Sequence, residues 1–387
     1  MTDLNKAVAS IQISGIRKFA DLVTQYNDVL SLTIGQPHFP TPKHIKDAAI
    51  QAITEGHTSY TSNRGLPSLR QAVSAYYGAK SGVVYDAQTE ILVTVGATHA
   101  LDISLRALLA PGDEVVIPAP AYPGYEPLVR LAQGTVRYVD TATTRFKLTP
   151  AQLQTAITPR TKVVVLASPV NPTGVAYTKD ELSALAAILA KTDVYVISDE
   201  IYSELQFDEQ HTSFATFAAL RERTVVIQGL SKSHSMTGWR IGFTLAPKKL
   251  TDEMVKVLQY SVSCASSISQ HAALEALVGG GDDSAIMRAQ YAQNRDMVVE
   301  ALDQMNLPLV KPAGAFYAFP DIRPLQMTSQ TFAMRLLDEA RVAVVPGDAF
   351  SEYGEGFVRL SYACEPVLLQ AGLQRLDDFV KKCHSSM

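Results

Sequence analysis

Thr224-Val-Val-Ile-Gln228-Gly-Leu-Ser231-Lys232-Ser-His-Ser-Met-Thr-Gly-Trp239-Arg240-Ile-Gly242-Phe-Thr-Leu-Ala246 is the stretch that decides how the chain is read. It begins and ends on short apolar, β-branched runs, which read as strands. Between them lie hydroxyls, a lysine and an arginine, an unusual density of reactive groups for a simple connection.

The same kind of run recurs upstream. Strands are predicted at Ile91–Val95, Glu114–Pro118, Thr135–Val139, Val163–Ala167 and Val194–Ser198, besides Thr224–Gln228 and Gly242–Ala246. Several, such as Val163-Val-Val-Leu-Ala167, are apolar on both alternating faces. Strands buried on both sides belong to mostly parallel sheets covered by helices. Helical patterns lie between them. After Thr178, a capping box with Glu181 precedes Leu182, Leu185, Ile188 and Leu189 on one face. The expected fold class is α/β, with a large, mostly parallel seven-stranded sheet whose ligands gather beyond the carboxyl ends of the strands.

Beyond about residue 250 the rhythm changes. One long helical region is expected to run to Leu277 and stop at Gly279-Gly280-Gly281. Short strands are expected at Ala315–Phe319, Val342–Val345 and Phe357–Ser361, within a smaller α+β unit. The resulting division is an N-terminal arm over 1–40 that joins the small unit, a large α/β unit over 41–285 and the small unit over 286–387.

Composition narrows the function. The 387 residues carry a net charge of −4, with 47% hydrophobic and 19% charged residues. That is enough apolar material for a large core and leaves no basic excess to neutralise a nucleic acid. Cys264, Cys364 and Cys383 form no Cys-x-x-Cys pair, so neither a disulfide framework nor a zinc ribbon is indicated. The start, Met1-Thr-Asp3-Leu-Asn-Lys-Ala, has an acid where a signal peptide carries bases and no apolar stretch follows it, and no apolar run is long enough to span a bilayer. A cytoplasmic protein, with no membrane partner, is the expectation. No Walker A loop, no Gly-x-Gly-x-x-Gly after the first strand, no Gly-x-Ser-x-Gly, no Ser-x-x-Lys and no His-Glu-x-x-His occurs. The eight histidines have no metal-ligand spacing, so no metal is expected.

What remains is a constellation just after four strands. Gly96-Ala97-Thr98 opens a helix, Ser168-Pro-Val-Asn171-Pro172-Thr-Gly174 forms a loop, Asp199-Glu-Ile-Tyr202 follows a strand, and Ser231-Lys232 with Arg240 completes the set. These groups suit pyridoxal 5′-phosphate (PLP). A lysine amine forms a Schiff base with its aldehyde, a carboxylate keeps the pyridine nitrogen protonated, and a helix N-terminus with an arginine holds the phosphate.

These motifs together closely resemble the class I/II aminotransferases, PLP enzymes of fold-type I. The resemblance runs nearly end to end through Ile34-Gly35-Gln-Pro37, Tyr60-Thr-Ser-Asn-Arg-Gly65, Pro120-Ala-Tyr122-Pro-Gly-Tyr125, Gly314-Ala-Phe-Tyr317, Val345-Pro-Gly347 and Val358-Arg359-Leu-Ser-Tyr362. Ile13-Ser-Gly-Ile-Arg17-Lys-Phe19, Tyr122-Pro-Gly-Tyr-Glu-Pro127 and Tyr353-Gly-Glu-Gly356 look like a subgroup of Gram-positive bacterial enzymes. That subgroup includes aromatic amino acid and N-acetyl-diaminopimelate aminotransferases.

The resemblance implies roles. Lys232 carries the cofactor, Asp199 pairs with its ring nitrogen, Tyr202 and Asn171 meet its phenolic oxygen, and Tyr122 stacks on the ring. Ala97, Thr98, Ser231 and Arg240 hold the phosphate, with Tyr60 reaching in from the other subunit of a homodimer. Arg359 takes the substrate's α-carboxylate and Gly35 lines that side. The expected reaction moves the amino group of an L-amino acid, aromatic or broad in range, to a 2-oxo acid such as 2-oxoglutarate, by a ping-pong route. N-acetyl-LL-diaminopimelate is the alternative donor. Tyr125, Phe316, Tyr317, Ile13 and Ile16 suggest an apolar side-chain pocket, whereas Arg17 in the same arm could meet a distal carboxylate. A PLP-dependent C–S lyase or a non-catalytic PLP-binding regulator are further readings, the second disfavoured because Lys232 is present.

Plainer readings compete at each position. Asp199 could cap the next helix. Asn171-Pro172-Thr-Gly174 is also ordinary loop chemistry. Arg359 faces opposite to Val358 and Leu360, towards either solvent or a cleft. His234 reads as structural, and Cys264 and Cys364 as buried small residues.

Overall fold

The computed structural model describes residues 4–385, so Asp3 and the rest of the extreme start, on which the signal-peptide reading partly rests, lie outside it. Twelve strands are described: β1 (Leu30–Ser31), β2 (Ile91–Thr94), β3 (Glu114–Ala119), β4 (Thr135–Asp140), β5 (Thr161–Ala167), β6 (Tyr195–Asp199), β7 (Thr224–Gly229), β8 (Gly242–Leu245), β9 (Tyr317–Ala318), β10 (Val342–Ala343), β11 (Val345–Pro346) and β12 (Val358–Ser361). Seven of them form one sheet in the order β2-β8-β7-β6-β5-β3-β4. β8 runs antiparallel to β2 and β7, and the pairs from β7 through to β4 are parallel. The predicted strands match within two residues at each end.

Burial follows position in the sheet. β7 and β8 are buried at every residue, as central strands covered on both faces must be. β2 is an edge strand yet equally buried, because the chain around Arg64 lies along it, with the Val93 N–H donating to the Arg64 carbonyl at 3.0 Å. β4, the opposite edge, is a mixture of exposed and half-buried residues. One apolar cluster fills one face, with Leu101, Leu105, Ile117, Val165, Ile197 and Met254. Two more cover the other face and flank, around Leu182 and Leu185 and around Val73, Ile91 and Phe243. The capping box at Thr178 is present, with Thr178 Oγ1 accepting from the Glu181 N–H and Glu181 accepting from the Thr178 N–H.

Two expectations are corrected. The long helix up to Leu277 is two helices, Lys248–Val262 and Ser267–Val278. The break is Ser263, at φ 62°, followed by Ser266, whose hydroxyl caps the second helix. The apolar pattern continues across the break, which hides it from periodicity alone. The single strand expected at Val342–Val345 divides at Val344. β10 pairs in parallel with β1, while β11 joins the antiparallel set β11-β12-β9.

The arm contains the helix Gly15–Val23 and β1. Phe19 and Leu32 are buried among Tyr291, Phe316, Val342, Leu369 and Phe379. No helix among the described residues is long and apolar enough to cross a membrane. Cys383 is buried, whereas Cys264 and Cys364 are only half-buried, which corrects the reading of those two.

Candidate active site

Parallel strands send their carboxyl ends, with whatever follows them, to one edge of the sheet. Here that edge borders a cavity of about 590 Å³, lined by Ala97, Thr98, Asn171, Asp199, Tyr202 and Lys232 among others. Ser231, Arg240, Arg359, Gly35, Tyr122, Ile16 and Arg17 line it as well. Of the eighteen residues singled out from sequence, the structure brings fifteen to this one space.

Lys232 follows β7. Its Nζ donates to the carbonyl oxygen of Gly35 at 2.7 Å. Burial lowers its basicity, Arg359 and Arg240 add to the effect, and the pKa falls to about 8 against the partial opposition of Asp199. The amine is therefore partly unprotonated near neutral pH.

Asp199 ends β6 and is buried. Burial raises the pKa of its carboxyl. The hydroxyl of Tyr125 donates to Oδ2 at 2.7 Å, and the N–H of Ile201 to Oδ1 at 3.3 Å. The carboxylate is thus oriented, and no cation among the described residues lies within salt-bridge distance of it. Glu200, the next residue, points away into a separate polar nest with Ser198, Ser213 and His211.

The opposite end of the cavity is the start of the helix Ala97–Leu108. Gly96 caps it at φ 80° with no side-chain hydrogen bond, so the first N–H groups stay available. The guanidinium of Arg240 lies over Gly96; a Cβ there would stand 2.6 Å from Nη2. Nη1 of Arg240 donates to the carbonyl of Thr237 at 3.0 Å. This end is built for an anion.

On the third side, Arg359 lies on β12 and is buried. The alternation argument holds, and its side chain enters the cleft rather than solvent. Nη1 donates to Oδ1 of Asn171 at 3.1 Å and Nη2 to the carbonyl of Thr33 at 2.7 Å. Its Nε has no partner although it is buried. The guanidinium lies 4.4 Å from the centre of the Tyr317 ring. The hydroxyls of Tyr317 and Tyr202 share a hydrogen bond at 2.8 Å.

Tyr122 lies edge-on to Tyr125, with centroids 5.4 Å apart at 84°. Three expected residues fall outside the cavity: Ile13, Tyr60 and Phe316, the last of which is fully buried in the apolar cluster of the small unit and does not line the space. Ile13 is 69% exposed, and its neighbours Ile11, Gln12 and Ser14 line the space instead. Their positions in the loop before the helix Gly15–Val23 have no periodicity that would have revealed this. Tyr60 is 87% exposed and reaches nothing in the cavity of its own chain. Three contributions were missed: the Tyr125 hydroxyl on Asp199, the Tyr317 ring beneath Arg359, and the Thr33 carbonyl. For Tyr125, its place three residues after Tyr122 at a helix start was the available signal. His234 is buried away from the cavity, with Nδ1 2.8 Å from the Ser233 hydroxyl, in keeping with a structural role.

The arrangement fits PLP. A buried carboxylate without a cation suits a pyridinium, an uncapped helix start with an arginine suits a phosphate, and a lysine of lowered pKa stands between them. The unpartnered Nε of Arg359 leaves a further donor for a carboxylate. No group of His, Cys, Asp or Glu among the described residues is arranged to hold a metal.

Comparison with known proteins agrees with the site. The family model for aminotransferase class I and II matches residues 27–376. The chain is 55% identical to "Probable N-acetyl-LL-diaminopimelate aminotransferase" of Bacillus subtilis (strain 168), over 99% of this chain and 97% of that one. It is 40% identical to an aspartate aminotransferase of Pyrococcus abyssi, over 95% and 96%. Among solved structures, an aromatic aminotransferase from Pyrococcus horikoshii OT3 superposes with a TM-score of 0.89 at 40% identity, covering 94% of this chain and 99% of that one.

Proposed function

The chain belongs to the class I and II aminotransferases, PLP enzymes of fold-type I, and we propose that within this family it exchanges an amino group between N-acetyl-LL-diaminopimelate and a 2-oxo acid such as 2-oxoglutarate. The observation that carries the reading of the site is Lys232, an amine with its pKa lowered to about 8 between a buried carboxylate and two guanidiniums. The donor is supported by the 55% identity to the Bacillus protein of that name. An aromatic donor is the second reading, favoured by Tyr122, Tyr125 and Tyr317 around the cavity.

When bound, PLP supplies a carbonyl that condenses with amines and a ring that draws electrons from the adjoining carbon. Asp199 would hold the ring nitrogen, Tyr202 and Asn171 the ring oxygen, and Tyr122 the ring face. Ala97, Thr98, Ser231 and Arg240 would hold the phosphate, with Tyr60 of the partner subunit. Nε of Arg359, and whichever of its other N–H groups turn from Asn171 and Thr33, would orient the donor's α-carboxylate beside Gly35. Nζ of Lys232 then takes the proton from the donor's Cα, a task suited to an amine that is partly neutral at working pH. The same proposal takes the enzyme as a cytoplasmic homodimer, with an arm over 1–40, a large unit over 41–285 and a small unit over 286–387.

The test is a visible-absorption titration of the PLP-loaded enzyme with N-acetyl-LL-diaminopimelate, glutamate, phenylalanine and tyrosine in turn. Bleaching of the cofactor band, strongest with N-acetyl-LL-diaminopimelate, is the expected result. A ranking led by phenylalanine or tyrosine would move the assignment to the aromatic reading. Release of ammonia and pyruvate from a cysteine conjugate would mark a C–S lyase. Lys232→Ala should leave turnover below about one-thousandth of wild type, since the proton carrier and the covalent anchor go together.

A further inference from the structure

We infer that the protein holds a second ligand site, for a small organic cation bearing N–H donors, in a cavity on the other side of the β6 end from Lys232. The inference goes beyond the transamination reading and draws on none of the residues assigned to it.

Neighbouring residues after β6 turn to different spaces. Asp199 and Tyr202 line the catalytic cavity, whereas Glu200, Ser203 and Glu204 line another, of about 440 Å³. That size is within the range of small-molecule sites. Its walls include Lys80 near the end of the helix Pro67–Ser81, the stretch Gln206-Phe-Asp-Glu-Gln-His211, and Asp282 with Arg288 at the start of the helix Asp283–Gln304.

The charge in this cavity is unbalanced. Five carboxylate residues line it, Glu200, Glu204, Asp208, Glu209 and Asp282, against two permanent cations, Lys80 and Arg288. Those cations are already engaged. Lys80 pairs with Glu204, and Arg288 meets Asp282 at 3.3 Å and the Glu204 carbonyl at 3.0 Å. Asp208 is answered by Arg295 at 2.8 Å. Glu200 is 2% exposed, and its partners are the hydroxyls of Ser198 and Ser213, the Phe214 N–H, the Gln228 amide and the His211 ring, with no lysine or arginine among them. Glu209 has no hydrogen bond or ion pair among the described residues. Such an excess of negative charge between low-dielectric walls concentrates cations.

Three buried polar atoms of wall residues have no hydrogen-bond partner among the described residues: the Tyr85 hydroxyl, Oε1 of Gln206 and Nδ1 of His211. Tyr85 and Gln206 are 3% and 7% exposed. Buried polar groups are nearly always paired, so three around one cavity point to a ligand. His211 turns Nε2 to Glu200 at 3.0 Å, which makes Nδ1 of the neutral ring an acceptor, as is Oε1 of Gln206. Arg221, stacked 3.9 Å from the centre of the Tyr85 ring, pairs with Glu90 and does not line the cavity. An anion would meet carboxylates and acceptors here. A metal ion would find no suitable group of His, Cys, Asp or Glu among the described residues. What these walls call for is positive charge that carries N–H donors, as an ammonium or a guanidinium does.

The experiment is a calorimetric titration of the PLP-loaded enzyme, at constant ionic strength, with 1,4-diaminobutane, methylguanidinium and tetramethylammonium. The cofactor band is recorded alongside, so that any reaction of the amine in the catalytic cavity is seen separately. The expected result is saturable binding of diaminobutane or methylguanidinium, the tighter of the two naming the head group. Tetramethylammonium has the charge but no N–H, and should bind at least about tenfold more weakly. Tyr85→Phe removes only the unpartnered hydroxyl. It should leave the melting temperature unchanged or higher and weaken binding about 3- to 10-fold. Glu200→Gln should weaken it more than about tenfold. No saturable heat with either N–H-bearing probe would mean that solvent alone fills the cavity, and overturns the proposal. Binding that is equal in wild type and in Tyr85→Phe and Glu200→Gln places the probe elsewhere and overturns it too. Tetramethylammonium bound as tightly as the other two overturns the requirement for N–H donors.

Discussion

Gly96 shows how much of this site is set by the absence of an atom. At φ 80° it occupies backbone space that side-chain-bearing residues seldom adopt, and a Cβ would collide with Arg240. Gly242 has the complementary constraint, because a Cβ there would stand 2.6 Å from the Gly96 carbonyl carbon. Together they let β8 run close under the start of the helix Ala97–Leu108. Gly96→Ala is expected to displace Arg240 and weaken PLP affinity at least about tenfold, since one charge-assisted bond to a phosphate is at stake. A fluorescence titration of the cofactor-free variant checks this; unchanged affinity would contradict the assignment of the phosphate end. Legibility at this scale divides by mechanism. Lys232, Asp199, Arg240 and Arg359 could be read because each lies on or beside a strand in a recognisable motif. Tyr125, Tyr317 and Thr33 act through a single hydroxyl, a ring face and a backbone carbonyl, and spacing encodes none of these. Ile11 and Gln12 could not be read for the same reason, since a short loop has no period to follow.

At the scale of elements, the junction at Gly279-Gly280-Gly281 is held by an imidazole. His44, on the helix Lys43–Thr54, has Nδ1 3.0 Å from Glu275 and Nε2 2.9 Å from Asp283. Glu275 lies on the helix Ser267–Val278 and Asp283 begins the helix Asp283–Gln304. Burial disfavours the charged ring, but the hydrogen bonds to both carboxylates outweigh it and raise the pKa. A raised histidine pKa contributes stability that is complete below the unfolded value of about 6.5 and is lost as pH climbs through the folded one. Thermal unfolding of wild type and His44→Gln should therefore differ most near pH 5.5 and converge towards pH 8.5, with a gap worth about 1 kcal/mol or less at a partly exposed site. A gap that does not vary with pH would mean that the neutral ring does the holding. The sequence showed where this junction lies, through its three glycines, but not what spans it. His44 and Asp283 are more than two hundred positions apart, and such pairings follow from the packing of helices rather than from local pattern. The hidden break at Ser263 is a related case, in which tertiary packing ends a helix that local apolar periodicity would continue.

For the whole molecule, the central sheet was readable because short β-branched apolar runs recur at regular intervals with helical patterns between them. The assembly was not, since a surface that meets a second copy uses the same residues as a scattered exposed surface. Tyr60 and Tyr260 are each 87% exposed, and Ile50, Ile53 and Val262 are exposed as well. Asn63 ties their neighbourhoods together by donating to the Ser263 carbonyl at 2.8 Å, just past the helix that carries Tyr260 and Val262. The helix bearing Ile50 and Ile53 packs on Ser267–Val278, the next helix along. Under the proposed dimer this face is covered and Tyr60 completes the neighbouring cavity. Light scattering on a sizing column should give a mass near twice the 42.0 kDa of one chain, and a fully active monomer would contradict the shared site.

The position of Lys232 has a consequence for the stability of the protein. An amine kept between Arg359 and Arg240 repels its neighbours whenever it is protonated, so the empty fold is least comfortable on the acid side of pH 8. Filling the cavity with a phosphate and a ring that answer those charges favours the native form by mass action. The loaded protein is therefore expected to melt at a higher temperature than the empty one, by a margin that widens as free cofactor is raised. Differential scanning at several cofactor concentrations reads that margin, and a melting temperature indifferent to cofactor would contradict it.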